Sequence, residues 1–225
     1  MALKKIVFLA SGKGGNFKFL HYLRSRIESP SFEISIIADR DCGAHQFAVK
    51  NGVKSTVVKV GSSNQDDLFR DLDQAEPDLI FTTLNRILLP RIVDAHEDIM
   101  FNLHYSLLPL YAGTIGMQGL ESALSNDDTT LGVTTHRLSY AVDEGEHVIQ
   151  SRFPNPINVN SARETIFRTG CLQIWSVLQH KLNGKPLSVK KSTNIFPNTT
   201  IDHTPGVFPL PDCVDTSFWN ELAQM

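Results

Sequence analysis

Several things this sequence lacks narrow its function first. Its three cysteines, Cys42, Cys171 and Cys213, lie far apart and form no CxxC pair. That argues against a zinc site or a disulfide framework and fits a reducing cytoplasm. No apolar run approaches the roughly 20 residues needed to span a bilayer. The opening MALKKIVFLASG has two lysines and a short apolar run but no cleavage-site pattern, so it reads as a first strand, not a signal peptide. No Lys/Arg block stands out and the formal net charge is −3, which leaves no electrostatic footprint for nucleic acid. There is no Walker A loop, internal repeat or low-complexity tract. What remains is an ordinary globular composition, 41% hydrophobic and 20% charged over 225 residues, enough for one good-sized α/β domain.

The first hundred residues alternate between strand and helix patterns. Ile6–Ala10 is a continuous apolar run, as expected of a strand buried on both faces. Helical spacing follows from Phe17 to about Glu28, closed by Ser29-Pro30-Ser31. Strand patterns cover Glu33–Asp39, Thr56–Val60 and Leu79–Leu84, with helices at Ala44–Lys50 and from a Ser63 or Asn64 cap to Leu72. Short joints between such units predict a mostly parallel sheet with helices on both faces. A fifth strand enters Met100–Gly113, MFNLHYSLLPLYAG. Farther on, Thr114–Leu124 reads as helix, Thr130–Leu138 and Glu146–Phe153 as strands, and Ser161–Leu182 as a long helix with a Ser161/Glu164 capping box. Residues 196–225 read as an irregular extension with a short helix at Thr216–Ala223.

Three stretches carry the chemistry. Strand alternation puts Asn102, His104 and Ser106 on one face, an amide beside an imidazole at the end of an apolar strand. Open α/β sheets place their ligands at such strand ends. The loop Ser11-Gly12-Lys13-Gly14-Gly15-Asn16 joins strand one to helix one. Its glycines let successive N–H groups converge, and the helix N-terminus favours an anion; a turn required only for packing is the alternative. Asp143, in Val142-Asp143-Glu144-Gly145, occupies a turn between two strands and has a functional role only if it folds back toward His104. His136 reads as an ordinary strand histidine, satisfied or half-exposed. Arg86 sits at the end of strand four.

Together, NLHYSLLP, the later VDEG and the early SGKGGN resemble the folate-dependent formyltransferases, over roughly residues 3 to 182. The resemblance implies a Rossmann-like formyltransferase fold in a single domain, 1–195. Residues 1–99 would form the acceptor half and residues 100–195 the folate and catalytic half. It implies a catalytic trio of Asn102, His104 and Asp143; a carboxylate beside the imidazole would raise its pKa. It also implies an acceptor or phosphate loop of Ser11, Gly12, Lys13, Gly14, Gly15 and Asn16. Asn85, Arg86, Ile87 and Leu88, with Val142 and Glu144, would face the folate. Asn85 stands where the family commonly has methionine. The donor would be 10-formyltetrahydrofolate, with no metal. Partners would be small molecules rather than nucleic acid or membrane, in a cytoplasmic monomer or homodimer.

The acceptor is less clearly written. The ribonucleotide-formylating branch usually starts the next helix with histidines, where this chain has Thr114-Ile115-Gly116-Met117-Gln118. That branch also carries a glutamate in the last long helix, where Arg168-Thr169-Gly170-Cys171 stands. Glycinamide ribonucleotide, a purine precursor, is the first expected acceptor, with a nucleotide-linked amino sugar or N-hydroxyornithine as alternatives. Rival classes are hydrolysis of the formyl donor, for which relatives carry an extra N-terminal domain, and folate binding without turnover. Formylation of methionyl-tRNA would call for a larger C-terminal domain and a basic surface.

Overall fold

The computed structural model describes residues 3–28, 30–156, 158–193, 195–196 and 199–225. They form two compact units: residues 1–100 with 210–225, and residues 101–209. Ser29 of the expected Ser-Pro-Ser joint, and Pro197 and Asn198 of the expected extension, lie outside the described residues.

The first unit is a parallel α/β sheet. Strands β1 (Lys4–Ala10), β2 (Phe32–Ala38), β3 (Ser55–Val57) and β4 (Leu79–Thr83) lie in the order β3-β2-β1-β4, with parallel registers throughout. The last five residues of β1 are all buried, as a strand covered on both faces must be. The helices are α1 (Gly15–Arg26), α2 (Gly43–Lys50), α3 (Asp66–Ala75) and α4 (Pro90–His96). The spacing did not single out α4. Gln65, not the expected Ser63 or Asn64, is the N-cap of α3; the Asn64 carboxamide accepts from the Asp66 N–H at 2.9 Å in the turn that leads into it. Phe8 joins the helix layer to the sheet, its ring centroid 5.8 Å from Phe17 and 5.4 Å from Phe81.

The end of the chain is not irregular, as its composition led us to expect. Helix α7 (Thr216–Leu222) forms where a short helix was read. Within the first unit Trp219 stacks on Phe19 at 5.6 Å, and Phe218 meets Tyr22 at 4.7 Å. Three aromatic or aliphatic anchors, Phe218, Trp219 and Leu222, hold a helix too short to persist alone.

The second unit holds β5, the strand Met100–His104 that enters it from Met100. It also holds α5 (Gln118–Ser125), β6 (Thr130–Arg137), β7 (His147–Pro154), α6 (Val159–Asn183), β8 (Val189–Ser192) and β9 (Ile201–Val207). Strands lie in the order β5-β6-β7-β9-β8, each antiparallel to its neighbour. Strand β9 is the second correction to the irregular reading. Its sequence, IDHTPGV, lacks clean apolar alternation, and its place comes from ladder pairing and one buried histidine. Helix α6 also starts differently. Asn158, not Ser161, is the cap: its side chain accepts from the Asn160 and Ser161 N–H groups. Glu164 instead pairs with Arg168 one turn on.

That histidine, His203, is 4% exposed. Its Nδ1 lies 2.7 Å from Ser151 Oγ and its Nε2 2.9 Å from Ser192 Oγ. Gln173 of α6 donates to Ser151 Oγ at 2.7 Å and to the Val133 carbonyl at 3.0 Å, and accepts from Thr135 Oγ1 at 2.6 Å. A hydrogen-bonded chain thus runs from β8 through α6 to β6. Burial pushes the His203 pKa down to about 4, from 6.5. The folded pKa lies below the unfolded one, so the unfolded chain binds the proton first as pH falls. Stability is complete above pH 6.5 and falls by on the order of 3 kcal/mol toward pH 4 from this group. Urea unfolding between those pH values should show that slope, and His203→Gln should flatten it; an unchanged slope in the variant rules the assignment out.

Candidate active site

Antiparallel pairing builds the site inside the second unit. Asn102 of β5 lies directly opposite His136 of β6, and His104 opposite Thr134. Residues paired this way share a face, so Asn102, His104, Thr134 and His136 look the same way. The β6–β7 register shifts between Thr135 and His136, a bulge at the site. The turn after β6 then brings Asp143 back. Gly145 makes this possible: a Cβ there would sit 1.8 Å from the Arg137 carbonyl oxygen.

Asp143 gathers the site. Its Oδ2 accepts from the Gly113 N–H at 2.8 Å and lies 3.4 Å from His104 Nδ1. Its Oδ1 accepts from Asn102 Nδ2 at 3.3 Å and lies 3.5 Å from His136 Nε2. Its backbone is left-handed, φ +58°, a conformation that costs a non-glycine residue roughly 1 kcal/mol or more. The side chain is 8% exposed. Burial works against its charge, but the hydrogen bond with His136, the Gly113 N–H and both imidazoles hold its carboxyl below the usual carboxylate range.

His104 differs from expectation. Burial lowers its pKa, and His136 adds to that. The charge of Asp143 and the Tyr111 carbonyl push the other way without overcoming it. The ring is therefore predominantly neutral at pH 7: Asp143 raises its pKa as expected, but burial outweighs that effect. Its Nε2 lies 3.0 Å from the Tyr111 carbonyl and 3.3 Å from Thr114 Oγ1. A carbonyl can only accept, so a proton on Nε2 satisfies Tyr111; the Asp143 carboxylate beside Nδ1 is likewise only an acceptor, and the two compete for the single proton of the neutral ring. A proton arriving at Nδ1 turns that 3.4 Å approach into a charge-assisted hydrogen bond.

Asn102 spends its amide hydrogens within the site. Nδ2 is 3.2 Å from His136 Nε2 as well as 3.3 Å from Asp143. His136 is 1% exposed, and its Nδ1 donates to the Arg137 carbonyl at 2.8 Å. It is a satisfied buried histidine, as read, but satisfied by the site itself. Only the β5–β6 register could have revealed this.

The other expected site residues lie in the first unit, apart from Val142 and Glu144. Gly14 has φ +70°, and a Cβ there would lie 2.6 Å from Ala44 Cβ, so its glycine is a packing requirement. A Cβ on Gly12 would meet nothing within 4 Å. Packing does not demand that glycine, which leaves its backbone open to a ligand. Ser11 Oγ accepts from the Asn85 N–H at 2.9 Å and hydrogen-bonds Asp39. Lys13 is exposed and Asn16 buried. Asn85, Arg86 and Ile87 are exposed, Ile87 at 71%, while Leu88 turns inward. Gln65, fully buried, pins this loop: it donates to the Ile87 carbonyl at 2.9 Å and accepts from the Leu89 N–H at 3.0 Å. Nothing in its local pattern marked Gln65 out. In the second unit Val142 and Glu144 flank Asp143, both exposed.

A parallel α/β unit with a glycine loop after β1, together with an amide–imidazole–carboxylate trio on an antiparallel sheet, defines a class of group-transfer enzymes. Residues 4–167 match the Formyl transferase family, and the chain belongs to it. The phosphoribosylglycinamide formyltransferase of Mycobacterium tuberculosis H37Rv is 27% identical over 173 residues, 72% of this chain and 75% of that protein. The methionyl-tRNA formyltransferase of Phocaeicola vulgatus is 31% identical over 123 residues, 54% of this chain but only 36% of that protein's length. The solved structure of the phosphoribosylglycinamide formyltransferase from Coxiella burnetii superimposes with a TM-score of 0.72 at 21% identity. That match covers 92% of this chain and 96% of that one. The likeness shows the α/β formyltransferase fold. No helix is long and apolar enough to cross a membrane among the described residues.

A neutral His104 beside an ionised Asp143 sets the expected pH response. Any reaction using Nδ1 as base should fall on an acid limb below the ordinary imidazole value of 6.5. A limb well above 6.5 in the pH dependence of kcat/KM would contradict it.

Proposed function

We propose that this chain transfers a formyl group from 10-formyltetrahydrofolate to an amine on a small anionic acceptor. The observation that carries it is the meeting of Asp143 with Asn102, at 3.3 Å, and with His104, at 3.4 Å, from segments about forty residues apart. Within the second unit, the exposed Val142 and Tyr140 beside Asp143 are apolar surface suited to a flat heteroaromatic ring. On this reading Val142 and Glu144 of the second unit face the folate; in the first unit the resemblance gives the same role to the exposed Asn85, Arg86 and Ile87, with Leu88 turned inward beneath them. The donor supplies the formyl carbon and leaves as the free amine.

The residues perform the rest. Asn102 exchanges one of its long amide hydrogen bonds for the carbonyl oxygen on which charge develops. Apo contacts of 3.2–3.3 Å are weak enough for that exchange. The attacking nitrogen sheds its proton to His104 Nδ1, directly or through water, and Asp143 stabilises the imidazolium. The proton then goes to the departing nitrogen. One C–N bond forms, one breaks, and no proton is gained or lost.

The acceptor half is residues 11–16, with the open Gly12 backbone, Lys13 and the start of α1 receiving an anionic group. Glycinamide ribonucleotide is the proposed acceptor. Positions 169–171 of α6 are buried, and Arg168 is tied to Glu164 and the Ile195 carbonyl. That stretch therefore offers no carboxylate to a sugar, which keeps a nucleotide-linked amino sugar or N-hydroxyornithine as the second reading.

A transfer assay against these three acceptors tests the proposal. Formylation of one of them, reduced on the order of a hundredfold or more by His104→Ala, is expected. Undiminished turnover in that variant overturns it. The loop makes a separate prediction. Gly12→Ala should raise the acceptor KM with an unchanged melting temperature, whereas Gly14→Ala should lower the melting temperature. Equal melting losses would make the loop a packing element alone.

A further inference from the structure

Residues 111–114 make three contacts with the trio: the Tyr111 carbonyl and Thr114 Oγ1 on His104, and the Gly113 N–H on Asp143. Ala112 and Gly113 are exposed, so their own burial does not hold this loop in register. Tyr111 does. Its phenol donates to Asp128 Oδ2 at 2.8 Å and accepts from Asn126 Nδ2 at 2.9 Å. Asp128 is itself fixed, its carbonyl accepting from Asn155 Nδ2 at 2.8 Å and its N–H donating to the Ala123 carbonyl at 3.0 Å. Tyr111 is left-handed at φ +59°, and Thr114 Oγ1 donates to its carbonyl at 2.7 Å. The anchored ring therefore sets where that carbonyl points.

We propose that Tyr111 is a positioning residue for His104. Its phenol, locked to Asp128 and Asn126, aims the carbonyl that keeps the ring proton on Nε2 and leaves Nδ1 as the basic nitrogen. Without that lock, a neutral His104 turns to the other tautomer, with Nδ1–H donated to Asp143 and no base available on that side. The titratable groups acting on the ring are Asp143, from the turn, and His136, from β6. Neither fixes the tautomer alone, because Asp143 attracts the proton to the wrong nitrogen. The kinetic consequence rests on the formyl-transfer reading; the tautomer does not.

The test uses the full chain with Tyr111→Phe, Asp128→Ala and Asp128→Asn. Nitrogen-15 imidazole spectra should show the Nε2–H form in the parent and a mixture in Tyr111→Phe and Asp128→Ala. Asp128→Asn, which keeps an acceptor oxygen, should restore most of the parent form. With the acceptor identified by the panel, kcat should fall about tenfold in the first two variants, with KM values within about twofold. Combining them should add little, since both break one lock. The acid limb should move to lower pH, because a carbonyl that favours the protonated ring has been loosened. An unchanged tautomer and acid limb in both variants overturns the proposal, even if their melting temperatures fall. If the parent formylates nothing, the functional reading fails while the spectra still decide the role of Tyr111.

Discussion

A single carboxylate organises the second unit. Asp143 is nearly buried and left-handed, and four donors or imidazoles from three stretches of chain converge on it. A buried charge of this kind is tolerated only when its lone pairs are met, so its presence dictates much else. Gly145 must be glycine for the turn to descend on the Arg137 carbonyl. Residues 111–114 must stay folded over the strand end, and β5 and β6 must pair in the register that sets Asn102 against His136.

The same carboxylate explains a division of labour. Burial makes the ring of His104 a weak base at rest, and Asp143 makes the protonated ring tolerable once formed. A general base works best when its pKa is near the working pH, with the charge it acquires already compensated. In the first unit the equivalent economy lies in Ser11, whose hydroxyl links the Asn85 N–H to Asp39 at the carboxyl ends of β1, β4 and β2. Burial of Asp39 opposes its charge, while Arg40, Ser11 and Arg86 hold its carboxyl low, so the base of the glycine loop stays fixed.

Much of this was legible in the chain because the signals were local. Ile6–Ala10, the Asn102/His104 alternation and the apolar residues Ile166, Leu172, Ile174, Trp175 and Leu178 of α6 need no tertiary information. NxHxSLLP, the later aspartate and the early SGKGGN together carried the family resemblance. What escaped depended on long-range pairing. His136 looks like any strand histidine until β5 is laid beside β6. Gln65 is unremarkable until the loop at 87–89 closes on it. Strand β9 has no apolar alternation, and its place is set by His203 between two serines. The sign of the His104 shift was missed for a related reason: a neighbouring carboxylate is visible in a motif, but depth of burial is not.

Carbon-13 in the formyl group of 10-formyltetrahydrofolate, followed through a single turnover, tests the central claim most directly. Label recovered in an N-formyl amide on the acceptor, and lost when Asp143 is replaced by asparagine, is the result expected of this site. Label recovered only as formate, at the same rate with or without an amine and with or without Asp143, would contradict it.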